Sequence, residues 1–268
     1  MSTPAASGPA SSRNSAPVLV GAVAVLAWLA LAAWSASPYA RYLGHGAWLD
    51  DAWFAELCTA VPRGDVLVPA LLHSASWLLM IAAMMVPTTL PLVNLFARVT
   101  GRRSDAASLR ALLVAGYGLS WLIFGLVAHG ADAVLHRALS SSGWLAAHGW
   151  VAGSVVLAGA GAFQFSALKY QCLERCRTPF GFINARWRGL HPARESLRIG
   201  FDHGLFCVGC CWALMLVMFV VGMGSLGWML VLALAMAIEK NLPWGRRVSA
   251  PLGIGLLGAA AAVVVANL

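Results

Sequence analysis

Phe206-Cys-Val-Gly-Cys-Cys-Trp-Ala-Leu-Met-Leu-Val-Met-Phe-Val-Val-Gly-Met223 runs for eighteen residues without a charge and places three cysteines near its start. A helix needs about 20 predominantly apolar residues to cross the roughly 30 Å hydrocarbon core of a bilayer. This stretch therefore reads as a membrane-spanning helix that carries thiols, and it sets the fold class for the chain around it. The whole chain agrees with it: 60% of the 268 residues are hydrophobic and 10% are charged, with a mean hydropathy of +0.77. So little polar surface cannot cover a water-soluble domain of this length. The expected fold is all-α, a polytopic transmembrane helix bundle whose partner is the lipid bilayer.

Working outward, apolar runs predict about seven spans: Pro17 to Trp34, Val66 to Phe96, Leu112 to Ala128, Val151 to Leu168, the quoted segment, Trp228 to Ile238 and Val248 to Asn267. The first could alternatively be a signal peptide, but its length and the uncharged tail before it favour a retained helix. Residues 1–16, rich in Ser, Ala, Gly and Pro, read as a disordered tail. Residues 17–268 read as one transmembrane domain. Between the first two spans, Trp48, Leu49, Trp53, Phe54 and Leu57 alternate with charges as in an amphipathic helix on the membrane surface, and Cys58 within it reads as a packed small residue. Pro87 and Pro91 predict a kink or break late in the second span. The sixth run is short for a span.

The net charge of +8 would suggest nucleic acid in a soluble protein. Here topology absorbs it. With seven spans and a cytoplasmic N-terminus, fifteen basic residues fall inside and only Arg41, Arg63 and Arg137 outside, as the positive-inside rule requires. No nucleic-acid partner is expected. The same topology puts Cys172, Cys176, Cys207, Cys210 and Cys211 on the cytoplasmic side, where thiols stay reduced.

Cys207, Cys211, Leu214 and Met218 follow offsets of four, three and four and share a helical face, with Cys210 and Met215 flanking it. Cys172 and Cys176 share a face if the fourth helix continues through them. In the second span His73, Trp77, Met80 and Met84 line another face, with Met85 beside it. His203, four residues before Cys207, could be a further ligand or a donor behind one. Cys-x-x-Cys alone fits zinc, copper(I), an iron-sulfur cluster or a redox dithiol. Thiols grading into thioethers along one helix favour copper(I), because Cys and Met are soft ligands. A helix N-terminus close to the cysteines, with arginines nearby, would further favour thiolate. Packing explains isolated Met and Cys residues more simply than five cysteines at two helix ends. Lys169 and Glu239, near predicted helix ends, are expected to snorkel or to pair with each other. There is no nucleotide-binding glycine loop, metalloprotease helix or serine nucleophile with partners.

Three stretches together resemble a bacterial family of predicted metal-binding integral membrane proteins, domain of unknown function 2182. They are Trp77-Leu-Leu-Met80-Ile-Ala-Ala-Met84-Met85-Val-Pro87, then Phe163-Gln164 through Lys169 with Cys172-Leu-Glu-Arg-Cys176-Arg-Thr-Pro179, then Gly200 through Gly204 with Cys207-Val-Gly-Cys210-Cys211-Trp212. The resemblance covers roughly residues 66 to 240, and some members carry the label copper chaperone. It implies that Met80, Met84 and Met85 belong with the cysteines in one constellation, in a bacterial inner membrane. Ser166-Ala167 stands where the family pattern has Thr-Pro, which argues against a kink at that point.

The sequence thus leads to copper(I) handling for delivery, storage or transport. Its metal ligands would be drawn from Cys172, Cys176, Cys207, Cys210, Cys211, Met80, Met84, Met85, Met215, Met218 and His203, and the metal would pass to a soluble or membrane acceptor protein. A membrane thiol-disulfide oxidoreductase using Cys207 and Cys210 is the alternative from another class, and a non-catalytic assembly subunit is the third.

Overall fold

A computed structural model describes residues 15–37, 67–141, 143–144, 148–222 and 225–268. The surface helix expected around Trp48 to Leu57, together with Cys58, lies outside these residues, as does the tail up to residue 14. The described chain is helical, without strands. In order come α1 (Ser15–Ser35), α2 (Leu67–Met84), a 3-10 turn (Val86–Thr89), α3 (Leu90–Thr100), α4 (Ala106–Ser141) and α5 (Trp150–Phe163). Then follow α6 (Ala167–Arg177), α7 (Pro179–Arg186), α8 (Pro192–Val221), α9 (Leu226–Asn241), a second 3-10 turn (Gly245–Val248) and α10 (Ser249–Ala266).

By length and composition, four helical segments can cross a membrane: Pro17–Ser35, Ala106–Asp132, Pro192–Val221 and Gly245–Ala266. Two bent pairs, α2 with α3 and α5 with α6, raise the number to six. The expected seven is corrected to four to six. The segment that drops out is the predicted sixth span: α9 has 16 residues, about 24 Å at 1.5 Å per residue, against a hydrocarbon core of roughly 30 Å. Apolar side chains such as Leu19, Leu26, Val127, Val155 and Ile254 stand exposed on the outer faces. Such a surface suits lipid, since lipid tails leave no reason to bury them.

The most extensive helix contact is between α4 and α8, and small residues permit it. A Cβ on Gly200 would run into the Leu113 carbonyl, one on Gly204 into the Ser120 hydroxyl, and one on Gly116 into the Leu197 carbonyl. Gly200 and Gly204 are four apart, as are Gly116 and Ser120, so each helix offers a small-residue stripe to the other. The two backbones approach closely enough to set Tyr117 of α4 against His203 and Cys207 of α8.

Both bent pairs turn at local signals. The α2–α3 pair bends by 48° where Pro87 and Pro91 remove two backbone donors, as the sequence predicts. The α5–α6 pair bends by 64° at residues 164–166, where no kink was expected. No proline is needed there, because Ser166 adopts an extended conformation and its hydroxyl accepts the Lys169 backbone N–H at 3.1 Å, restarting the helix with a serine N-cap.

The quoted segment also begins earlier than its apolar run. α8 starts at Pro192, where the Glu195 carboxylate accepts the backbone N–H groups of Arg188, Gly189, Leu190 and His191 at 2.7 to 3.2 Å and so folds the preceding loop onto the first turn. Gly189 takes the positive φ of 73° that this loop requires. A smaller core of Leu92, Phe96, Leu113, Ile183 and Ile199 packs α3, α4, α7 and α8 together at this end. The main core holds seven methionines and the three α8 cysteines.

Candidate metal centre

Because α8 begins at Pro192, Cys207 lies fifteen residues into the helix, about 22 Å from its N-terminus. The expectation that amides at a nearby helix start favour thiolate is therefore corrected. Helix-end effects fade within the first turn, and the cysteines sit deep rather than at a mouth. Cys207, Cys210 and Cys211 are each 1% exposed. All five described cysteines are free thiols.

Two helices supply the sulfurs. From α6, Cys176 Sγ lies 3.9 Å from Cys210 Sγ, and Cys172 Sγ is pressed against Gly209, leaving no room for a side chain there. Within α8, Cys210 Sγ is 3.3 Å from Cys211 Sγ and donates to the Cys207 carbonyl at 3.1 Å. Cys172 and Cys176 are partly exposed, whereas the α8 thiols are not, so sulfurs lead inward from the protein surface. The fourth helix does not run straight into α6 as sequence spacing assumed, yet the two cysteines still face α8, because the bend at Ser166 redirects them.

Cys207 Sγ is the innermost focus. The Tyr117 hydroxyl lies 2.9 Å from it and also donates to the Met85 carbonyl at 3.4 Å. Lys240 of α9 donates through Nζ to Cys207 Sγ at 2.9 Å, to Thr88 Oγ1 at 3.4 Å and to Met85 Sδ at 3.6 Å. The break after α2 thus brings the Met85 thioether to the same ammonium that holds Cys207. Met80, Met84, Met215 and Met218 are buried in the same core as the α8 cysteines, while Met85 alone of these methionines has its thioether on Lys240. His203 is buried 6.2 Å from the Tyr117 ring and 6.1 Å from Phe182 between ring centroids, and its Nδ1 has no hydrogen-bond partner. Asp202 does not orient it: that carboxylate accepts from Arg186 at 2.9 Å, with Arg198 at 3.9 Å. The His73 side chain lies outside what is described.

A second buried polar group adjoins the first. Lys169 Nζ donates to both Glu239 carboxylate oxygens at 2.7 and 2.9 Å and to the Gln164 side-chain carbonyl, and Ser249 Oγ donates to Glu239 at 2.6 Å. The mutual pairing expected of Lys169 and Glu239 is present. It ties the α5–α6 break to α9 and α10, and Glu239 is the residue immediately before Lys240.

The sequence reading missed Lys240, Tyr117 and Thr88. One signal was available: of eighteen basic residues only Lys169 and Lys240 are lysines, the rest being arginines, and both lysines are buried.

In donor chemistry the arrangement suits a soft cation. It gathers thiols and a thioether, while the carboxylate next to Lys240 in the chain, Glu239, is committed to Lys169 and Ser249. With metal–sulfur bonds of about 2.3 Å, as in zinc thiolates, two sulfurs on one ion lie up to about 4.6 Å apart, and the 3.3 and 3.9 Å separations fall inside that limit. Among the described residues no group of three or more His, Cys, Asp or Glu side chains forms a ready metal cage. Two sulfurs at a time are in place, not a tetrahedral set.

Fold and site together define a helical protein with membrane-competent segments and a buried cluster of sulfur side chains. The chain belongs to the PpoB2 family, described as copper chaperone, whose model matches residues 74–263. That match runs from α2 to α10, includes every sulfur of the cluster, and agrees with the resemblance read from the three sequence stretches. No curated protein and no solved structure matches the chain.

Proposed function

We propose that this protein carries copper(I) as cargo in the bacterial inner membrane, through the thiols of Cys172, Cys176, Cys207, Cys210 and Cys211 and the thioether of Met85. The observation that carries the reading is the line of sulfurs itself. Partly exposed Cys172 and Cys176 of α6 touch the buried Cys210 and Gly209 region of α8, and the line ends where Cys207 meets Lys240 beside Met85. Copper(I) entering at α6 is passed inward by exchange, each thiolate replacing the one behind it. Leaving reverses the order, toward an acceptor protein at the exposed cysteines. Met80, Met84, Met215 and Met218 form the apolar thioether wall around this path. His203, with an unpartnered Nδ1, stands in reserve behind Cys207. The six arginines from Arg175 to Arg198, beside α6 and the start of α8, argue for the cytoplasmic side of the membrane.

The test is metal content. Protein purified under reducing conditions and loaded with copper(I) is expected to retain a stoichiometric ion, and the combined Cys207→Ser, Cys210→Ser, Cys211→Ser variant to retain none. No stoichiometric copper in the native chain would sink the proposal. Turnover of a Cys176–Cys210 disulfide with a thioredoxin or a quinone, without metal, would replace it with thiol-disulfide exchange.

A further inference from the structure

We infer that Lys240 is the fixed counter-charge of the sulfur site and sets its preference for a monovalent ion. This rests on the copper(I) reading above and assigns that site a component without a sulfur atom.

The geometry is unusual for a lysine. Its Nζ is buried and reaches Cys207 Sγ at 2.9 Å, Thr88 Oγ1 at 3.4 Å and Met85 Sδ at 3.6 Å, with no carboxylate among these partners. A buried ammonium without an anion is costly. The neighbouring Glu239 cannot serve, because Lys169 and Ser249 occupy its oxygens, so the group left to balance Lys240 is the Cys207 sulfur. The ammonium also lies directly on the Cys207 sulfur, the position that a soft cation bound to that thiolate would take.

In the metal-free protein Lys240 therefore stands where the cargo goes. When copper(I) arrives, it bonds the Cys207 thiolate and one further thiol, which gives up its proton to solvent. The product, one positive ion on two thiolates, carries a net charge of −1. The ammonium, moved aside toward Thr88 Oγ1, brings the site to zero. A divalent ion on the same two thiolates would already be neutral and would leave the ammonium unbalanced in the apolar core. The Thr88 hydroxyl is available for this because the break after Met85 turns it toward α9.

Having only two lysines makes the test direct. Protein labelled with carbon-13 at lysine Cε gives two side-chain signals, and Lys240→Arg identifies one of them by its loss. Copper(I) is expected to shift the Lys240 signal and leave that of Lys169 in place. In chelator competition, Lys240→Leu is expected to weaken copper(I) binding at least tenfold and to narrow the preference for copper(I) over zinc, while Lys240→Arg retains more of both. If the native chain binds copper(I) but neither lysine signal moves, or Lys240→Leu binds as tightly as the native chain, the role of Lys240 is refuted while the copper reading stands. If the native chain binds no copper(I), both fall.

Discussion

Replacing Glu239 by Gln removes one negative charge from a site buried away from solvent. The side chains of Lys169 and Glu239 are 0% and 1% exposed, and Lys169 Nζ has both carboxylate oxygens within 2.9 Å. The amide keeps the shape and still accepts from Ser249, but it turns a donor toward the ammonium. Breaking one partner of a buried pair costs about 3–5 kcal/mol, because the survivor stays charged and unpaired. At about 1.4 kcal/mol per decade, the folded-to-unfolded ratio falls by a factor of at least roughly 100. Removing both charges, as in Lys169→Met with Glu239→Leu, takes away the attraction and the desolvation penalty together, so the double variant is expected to be clearly more stable than the single one. Tryptophan fluorescence during detergent-induced unfolding measures both. A loss under about 1 kcal/mol for Glu239→Gln, or a double variant no better than the single, would refute the view that this pair is a desolvated lock rather than a hydrated one.

Other outcomes follow from the same geometry. Met85→Leu keeps the volume and removes the sulfur beside Lys240, so copper(I) affinity is expected to fall about tenfold, whereas Met215→Leu, at a residue without a contact to Lys240, should change it less; chelator competition separates the two. Gly204→Val must push α4 from α8 at Ser120, with an expected loss of about 1–3 kcal/mol, seen as a lower unfolding midpoint in detergent. Ser166→Ala deletes the cap of α6 and is expected to cost about 1 kcal/mol and to raise the alkylation rate of Cys176 as the helix start loosens; an unchanged rate would show that the cap does not hold that thiol.

Much of this was legible in the sequence, unevenly and for physical reasons. Apolar runs identify α1, α4, α8 and α10 because a bilayer imposes length and composition on each span separately. Pro87 announces the break after α2, since proline acts on its own helix. The break at Ser166 is harder to see, because a serine cap also reads as an ordinary interhelical residue. The start of α8 is hidden by Arg194, Glu195, Arg198 and Asp202, which look like loop but lie on a helix whose first turn is closed by Glu195. Lys240 is harder still: its partners, Met85, Thr88 and Cys207, come from two other helices, and no local spacing reports contacts so distant in the chain. What the spacing did capture was the gathering of cysteines on α6 and α8, since each pair lies on one helical face.

The glycine contact between α4 and α8 has a kinetic consequence. Tyr117 and the three α8 cysteines stand on two backbones pressed together at Gly116, Gly200 and Gly204, which leaves that wall little freedom to slide. Cys176, Met85 and Thr88 lie on or beside helices already interrupted at Ser166 and Pro87. The site therefore has one stationary wall and one that can yield. Under the copper(I) exchange proposed above, the pace would be set by the interrupted helices, and through them by the thickness and tension of the surrounding membrane.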